Sequence, residues 1–278
     1  MHKEPVLSTS IKGVTTKTRA LPNRALLHAV QKWGKTSFGA MVPGVVFACT
    51  RGEDGLDTLI KSGQLPETAH FEEPVDTWNQ LMLRINELII HDHPYRAFAI
   101  DTINGAAMLC IEHVTQKQFD GDPDKFDSYG RGMKAGFTPA EFNKLLTALD
   151  QLRIQKQMSI VLLAHSQVKT FQNPSGLNYD RWEPVLPKEL MAMIDRWVDM
   201  VLFGDFETHM EKAAKNATKT KAFGGTVRTL HTERSAAFDA GNRYGLPPEI
   251  ECGASPQEAW VNFINAMKSK KSTTTTAA

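Results

Sequence analysis

Residues 24–40 read RALLHAVQKWGKTSFGA, and this stretch limits the possible folds more tightly than any other. The apolar run 24–29 has the composition of a strand, and 35–42 has the spacing of a short helix that stops before Pro43-Gly44. Between them the chain must turn and arrive at Gly34-Lys35-Thr36. Strand, tight loop, Gly-Lys-Thr and helix is the setting in which backbone N–H groups surround a phosphate, a lysine reaches its oxygens and a hydroxyl meets Mg2+. The strict pattern G-x-x-x-x-G-K-[ST] asks for glycine where this chain has Ala29. That position mainly lets the chain leave the strand, so alanine suffices if its φ stays negative. The nucleotide-contacting residues are then Ala29, Val30, Gln31, Lys32, Trp33, Gly34, Lys35, Thr36 and Ser37.

The remainder alternates short β-rich runs with longer helical patterns, which predicts an α/β domain with a mainly parallel central sheet flanked by helices. Further strands are expected at 44–50, 95–101, 158–165, 198–204 and 225–232, and helices at 76–91, 103–118 and 138–157. In the last of these, Phe142, Leu145, Leu146, Leu149 and Leu152 form an apolar stripe for packing on the sheet. Segments 119–137 and 167–187, rich in Gly, Pro and Asn, read as long loops, which in compact domains tend to be functional or mobile. The core domain is expected over 22–250, after a flexible segment 1–21 and before a helix at 251–268 and a disordered tail at 269–278.

Net charge is +1, so no global field draws the chain to nucleic acid, and any basic surface must be local. Cys49, Cys110 and Cys252 are odd in number and lack C-x-x-C spacing, which argues against a disulfide framework or a zinc site. DGDPDKFD lacks the glycine and closing glutamate of a calcium loop, and His91 and His93 of HDHP have no further ligand spaced to join them. With no signal sequence and no long apolar window, a cytoplasmic protein without a membrane span is expected.

Two carboxylates suit the phosphate loop. The run YRAFAID ends in Asp101, and a carboxylate at the C-terminal end of a strand can hold the water shell of Mg2+, with Thr36 as the direct ligand. Many ATPases place a glutamate immediately after that aspartate; here the position is Thr102, so a base must come from elsewhere. Glu53 in the glycine-flanked turn Arg51-Gly52-Glu53-Asp54-Gly55, after the second strand, is the candidate.

Together WGKTSFGA, RGEDGLDTLI, IDTINGAAMLCIEHV, VLLAHSQVKTFQNP and DMVLFGDFET resemble the phage-type ATP-binding proteins of the RecA-like group, over about 22–250. The resemblance implies a RecA-like P-loop NTPase core that binds ATP and Mg2+, with Lys35 on the phosphates and Glu53 orienting water. It also implies that His165, ending the fourth strand, senses the γ-phosphate for the loop behind it. In such proteins that loop contacts single-stranded DNA; its counterpart here holds Lys169, Phe171, Tyr179 and Arg181, with Arg131 of 119–137 as a second contact. Side-by-side assembly into a ring or filament would place an arginine on a neighbour's γ-phosphate, Arg243 or Arg234 first and Arg228 behind them. The implied task is annealing or strand-exchange support in phage-type recombination or replication, in host cytoplasm, with a single-strand-binding or replication protein as a further partner. The basic segment 211–222, EKAAKNATKTKA, is either a nucleic-acid-contacting hairpin or loop, or a solvated face. Two other readings stay open: a nucleotide-regulated binding module or helicase-loader-like protein with little turnover, and a small-molecule kinase. The kinase would need an arginine-rich lid, and 167–187 holds a single arginine.

Overall fold

In a computed structural model, which describes residues 14–210 and 222–273, the apolar runs become strands whose side chains alternate between two dry faces. The chain runs β1 (Arg24–Ala29), α1 (Lys35–Ala40), β2 (Val45–Cys49), α2 (Gly55–Lys61), β3 (Ala69–His70), α3 (Trp78–Ile90), β4 (Ala97–Asp101) and α4 (Ile103–Gln118). It continues through α5 (Pro123–Asp127), a 3-10 turn (Ser128–Gly130), α6 (Phe137–Gln155), β5 (Ser159–Phe171), β6 (Tyr179–Pro184) and α7 (Lys188–Trp197). Last come β7 (Met200–Met210), β8 (Ala222–His231), β9 (Gly241–Asn242), β10 (Glu249–Gly253) and α8 (Pro256–Thr273).

The sheet order is β10-β8-β7-β1-β5-β4-β2-β3, with β6 paired to β5 and β9 to β7. From β7 to β3 the neighbours are parallel; β8, β9 and β10 join antiparallel. Leu26, Phe98, Ile100, Ile160 and Leu162 face one layer, packed by α3, α4, α6 and α7. Leu27, Val45, Phe47, Ala99 and Leu163 face the other, packed by α1, α2 and α8. The result is an α/β core, a mainly parallel sheet with helices on both sides. The stripe of α6 is buried as its spacing predicts. A reciprocal capping box between Thr77 and Gln80 starts α3.

Several expectations are corrected. Segment 119–137 is not an open loop: Asp122 caps α5, and Phe126 packs on Phe119 and over Gly132, where a Cβ would collide with its ring. Segment 167–187 is largely a hairpin, because β5 runs on past the sheet to Phe171 and β6 returns beside it with Lys169 opposite Arg181. Its ladder is half exposed, so the apolar alternation that marks a buried strand is missing. The last helix starts at Pro256 instead of 251 and continues to Thr273, while Glu251–Gly253 belong to β10. Residues 211–221 of the basic segment lie outside the described residues. The three cysteines are free, and no described helix is long and apolar enough to cross a membrane.

Candidate functional site

β5 lies between β1 and β4, so the C-terminal ends of β1, β5, β4 and β2 form one continuous edge. Ligands of open α/β sheets bind along such an edge. β1 ends at Ala29, which pairs with His165 on one side and Gly204 on the other. Ala29 is not among the residues with positive φ, so the condition for alanine at this position is met. Gly204 makes room for it: a Cβ there would fall 2.6 Å from the Trp33 ring and 3.0 Å from the Ala29 methyl.

Beyond Ala29, the Val30 N–H donates to the Gly204 carbonyl at 3.0 Å and the Trp33 N–H to the Val30 carbonyl at 3.3 Å. Lys32 (φ 62°) and Gly34 (φ 103°) bracket Trp33. Alternating handedness of this kind turns consecutive N–H groups to one side and makes an anion-receiving concavity. Gly34 needs its missing side chain twice, for its positive φ and because a Cβ would lie 2.7 Å from Pro256 at the start of α8. Trp33 is wholly buried, and its Nε1–H donates to the Asp205 carbonyl at 3.0 Å, so the loop is pinned from below. Arg228 pins it from the side, its Nε donating to the Trp33 carbonyl at 2.6 Å.

The ends of β1, β2 and β4 and the point where β5 leaves its ladder with β1 deliver the chemistry. Lys35 and Thr36 follow β1, and the Thr36 hydroxyl donates to Asp101 Oδ2 at 2.7 Å. Asp101 is 3% exposed. Burial pushes its carboxyl up to about 6, helped by the charge of Glu53 and opposed by the Thr36 hydrogen bond, Lys35 and His165. Burial likewise lowers the Lys35 ammonium below its ordinary range, while Asp101 and Glu53 pull it back up. A buried, undercompensated carboxylate facing a hydroxyl is a hard-oxygen donor pair that fits Mg2+, and Thr36 and Asp101 would hold it.

Glu53 sits in a turn whose Gly52 has φ 85°, and its N–H donates to the Thr50 carbonyl at 3.0 Å. Its Oε1 lies 2.7 Å from His165 Nε2. The His165 N–H donates to Asn104 Oδ1 at 2.9 Å, and its carbonyl accepts from the Val185 N–H at 2.9 Å. Behind this row Thr50 accepts from the Thr102 N–H at 3.0 Å, and Thr102 caps α4 by accepting from the Gly105 N–H at 3.2 Å. The structure therefore gathers Lys35, Thr36, Asp101, Glu53 and His165 around the loop.

Other expected residues stand apart. Arg243 is held by Asp199 at 3.5 Å and by the Arg196 carbonyl at 2.9 Å. Asp199 also receives the Arg24 N–H, which places Arg243 at the start of β1, the end opposite the loop. Arg181 is corrected as a nucleic-acid contact: it is 4% exposed, with Glu183 at 3.2 Å and Asp239 at 2.8 Å, and no guanidinium face remains for a strand. Lys169 is exposed on the hairpin, where Phe171 and Tyr179 are half-buried with ring centroids 5.2 Å apart. Arg131 is exposed in the α5–α6 connection, and Arg234 in the segment after β8. Sequence reasoning missed Asn104, Thr50 and the anchoring role of Arg228. Asn104 was findable as a polar residue in an otherwise apolar first helical turn, whereas the Arg228–Trp33 contact spans 195 positions and left no local trace.

Loop, lysine, hydroxyl and strand-end aspartate at the C-terminal edge of a mainly parallel sheet form a P-loop nucleotide site. The chain belongs to the AAA_24 family, whose model, described as an AAA domain, matches residues 21–244. No curated protein matches it. Among solved structures, the crystal structure of the RadB recombinase is similar at 11% identity and a TM-score of 0.48, over 86% of this chain and 90% of that one.

Proposed function

We propose that this protein is a Mg-dependent ATPase acting on single-stranded DNA in phage-type recombination or replication, supporting annealing or strand exchange. The observation that carries the ATPase is the convergence of Glu53 and His165 (2.7 Å) on the edge that holds Lys35, Thr36 and Asp101. The DNA substrate and phage context rest on the sequence resemblance and on the exposed hairpin beside that edge.

Lys35 neutralises phosphate oxygens within the loop, while Thr36 and Asp101 hold Mg2+, which supplies charge neutralisation when bound. Glu53 orients the attacking water and takes its proton as the oxygen–phosphorus bond forms and the bond to the leaving diphosphate breaks. His165 holds the Glu53 carboxylate in place. Lys169, Phe171 and Tyr179 give the hairpin a cation and rings for backbone and bases. Side-by-side copies would bring an arginine to the neighbour's phosphate, and Arg234, exposed on the segment that touches the hairpin, is better placed than Arg243.

The test is ATP hydrolysis with and without single-stranded DNA. Lys35→Ala should weaken ATP binding by about 10–100-fold, the size of one charge-assisted interaction. Glu53→Gln should keep binding and lose about 10²–10⁴ of the turnover. ATP binding by the wild type without turnover under either condition would defeat the proposal.

A further inference from the structure

Neither loop nor hairpin explains His28, the residue immediately before Ala29. It is a fully buried histidine in the middle of the sheet. Its Nε2 lies 2.7 Å from the Asp239 carbonyl and its Nδ1 2.9 Å from Ser166 Oγ. A carbonyl can only accept, so Nε2 carries the proton. Burial, with smaller contributions from the Lys35 and Arg181 charges, takes the imidazole down to about 4 and keeps it neutral, despite the opposing Asp239 hydrogen bond. Nδ1 is therefore a bare acceptor, and the Ser166 hydroxyl donates to it.

Both partners sit at junctions. Ser166 directly follows His165 and is the residue at which β5 leaves its ladder with β1 and begins its ladder with β6. Asp239 grips the returning strand: its N–H donates to the Trp182 carbonyl at 3.0 Å, and its carboxylate binds Arg181 at 2.8 Å. The neighbouring Ala237 carbonyl accepts from the Trp182 N–H at 2.7 Å. A series of short, directed contacts thus runs from the hairpin through Arg181, Asp239, His28 and Ser166 to His165 and Glu53. Its middle members His28 and Arg181 are buried, where unpaired polar groups are costly and a change at one member is felt by the next, while Asp239, Ser166 and Glu53 are partly buried and His165 is exposed.

We propose that His28 is a positioning residue that ties the Glu53–His165 contact to the docking of the β5–β6 hairpin, so that a strand bound on the hairpin changes the rate of turnover more than the affinity for nucleotide. This rests on the ATPase reading above. It assigns His28 and Ser166 a role without contact to nucleotide, and the hairpin a route to the site through side-chain and backbone contacts of the protein itself.

The test compares wild type, His28→Leu, His28→Gln and Ser166→Ala, with a single-stranded oligodeoxythymidylate as hairpin probe and a fluorescent ATP analogue for affinity. Glutamine can donate to Asp239 and accept from Ser166, so it should restore what leucine loses. Ser166→Ala removes one surface-proximal hydroxyl and decides the matter if the leucine variant does not fold. Expected are nucleotide affinities within threefold of wild type, DNA-stimulated kcat at least tenfold lower in Ser166→Ala and His28→Leu, and recovery to within threefold in His28→Gln. Undiminished stimulation in Ser166→Ala, or equal loss in the glutamine and leucine variants, would overturn the proposal.

A second readout separates this idea from the ATPase reading. With a non-hydrolysable ATP analogue, amide exchange in 166–185 should slow severalfold in wild type and stay unchanged in Ser166→Ala. If wild type hydrolyses nothing, the ATPase reading fails, and the exchange experiment alone decides the role of His28. Equal slowing in both proteins, or none in wild type, refutes it.

Discussion

Replacing Asp101 by asparagine should stabilise the nucleotide-free protein. The Asp101 carboxylate is 3% exposed, and its environment raises it from 3.8 to about 6. At 1.36 kcal/mol per unit, holding it ionised costs the fold about 3 kcal/mol. Between 3.8 and 6 the folded chain keeps a proton that the unfolded chain releases, so stability falls as pH rises through that window, and the whole cost is present above it. Asparagine keeps the shape and an oxygen to accept from Thr36, and it carries no charge. Denaturant unfolding at pH 8, without Mg2+ or nucleotide, should find Asp101→Asn more stable than wild type by about 2–3 kcal/mol. At pH 4 the gap should close, because the wild-type carboxyl is then protonated. Added Mg2+ and ATP should stabilise wild type by mass action and the variant little. A variant less stable at pH 8, or a gap of the same size at both pH values, would refute the reasoning. A gap that opens at pH 8 and closes at pH 4 would identify this stored cost as what a metal relieves on binding.

Ala29→Gly restores the strict loop pattern but places glycine in a strand, so it should cost about 0.5–1 kcal/mol and leave ATP affinity within about threefold, roughly RT of binding energy; a calorimetric titration beside a melting curve checks both, and a large gain in affinity would show that the methyl obstructs the site. Trp33→Ala removes a wholly buried ring and its hydrogen bond to Asp205, with an expected loss of about 3–5 kcal/mol in unfolding free energy. A loss under about 1 kcal/mol would mean that Trp33 does not anchor the loop.

What the sequence determined by itself was local. Leu26 and Leu27 of β1, the stripe from Phe142 to Leu152 and the runs ending in Cys49 and Asp101 carry periods that only a strand or a helix satisfies. The phosphate loop was readable because Gly34, Lys35 and Thr36 are contiguous, and Asp101 and Glu53 because each ends or follows a strand. The hairpin was not readable, since β6 pairs outside the buried sheet, where composition is not constrained to alternate. Tertiary structure decided which strand ends became neighbours. Inserting β5 between β1 and β4 brings His165 within 2.7 Å of Glu53, 112 positions away. Other long-range contacts took Arg181 out of service by giving it Asp239, and left Arg243 at the far end of β1 with Asp199. The physical reason is that a charge in a sequence carries no record of its partner. A strand's period is written within a few residues, but an ion pair or a relay such as His28, Ser166 and Asp239 exists only once distant segments have been packed together.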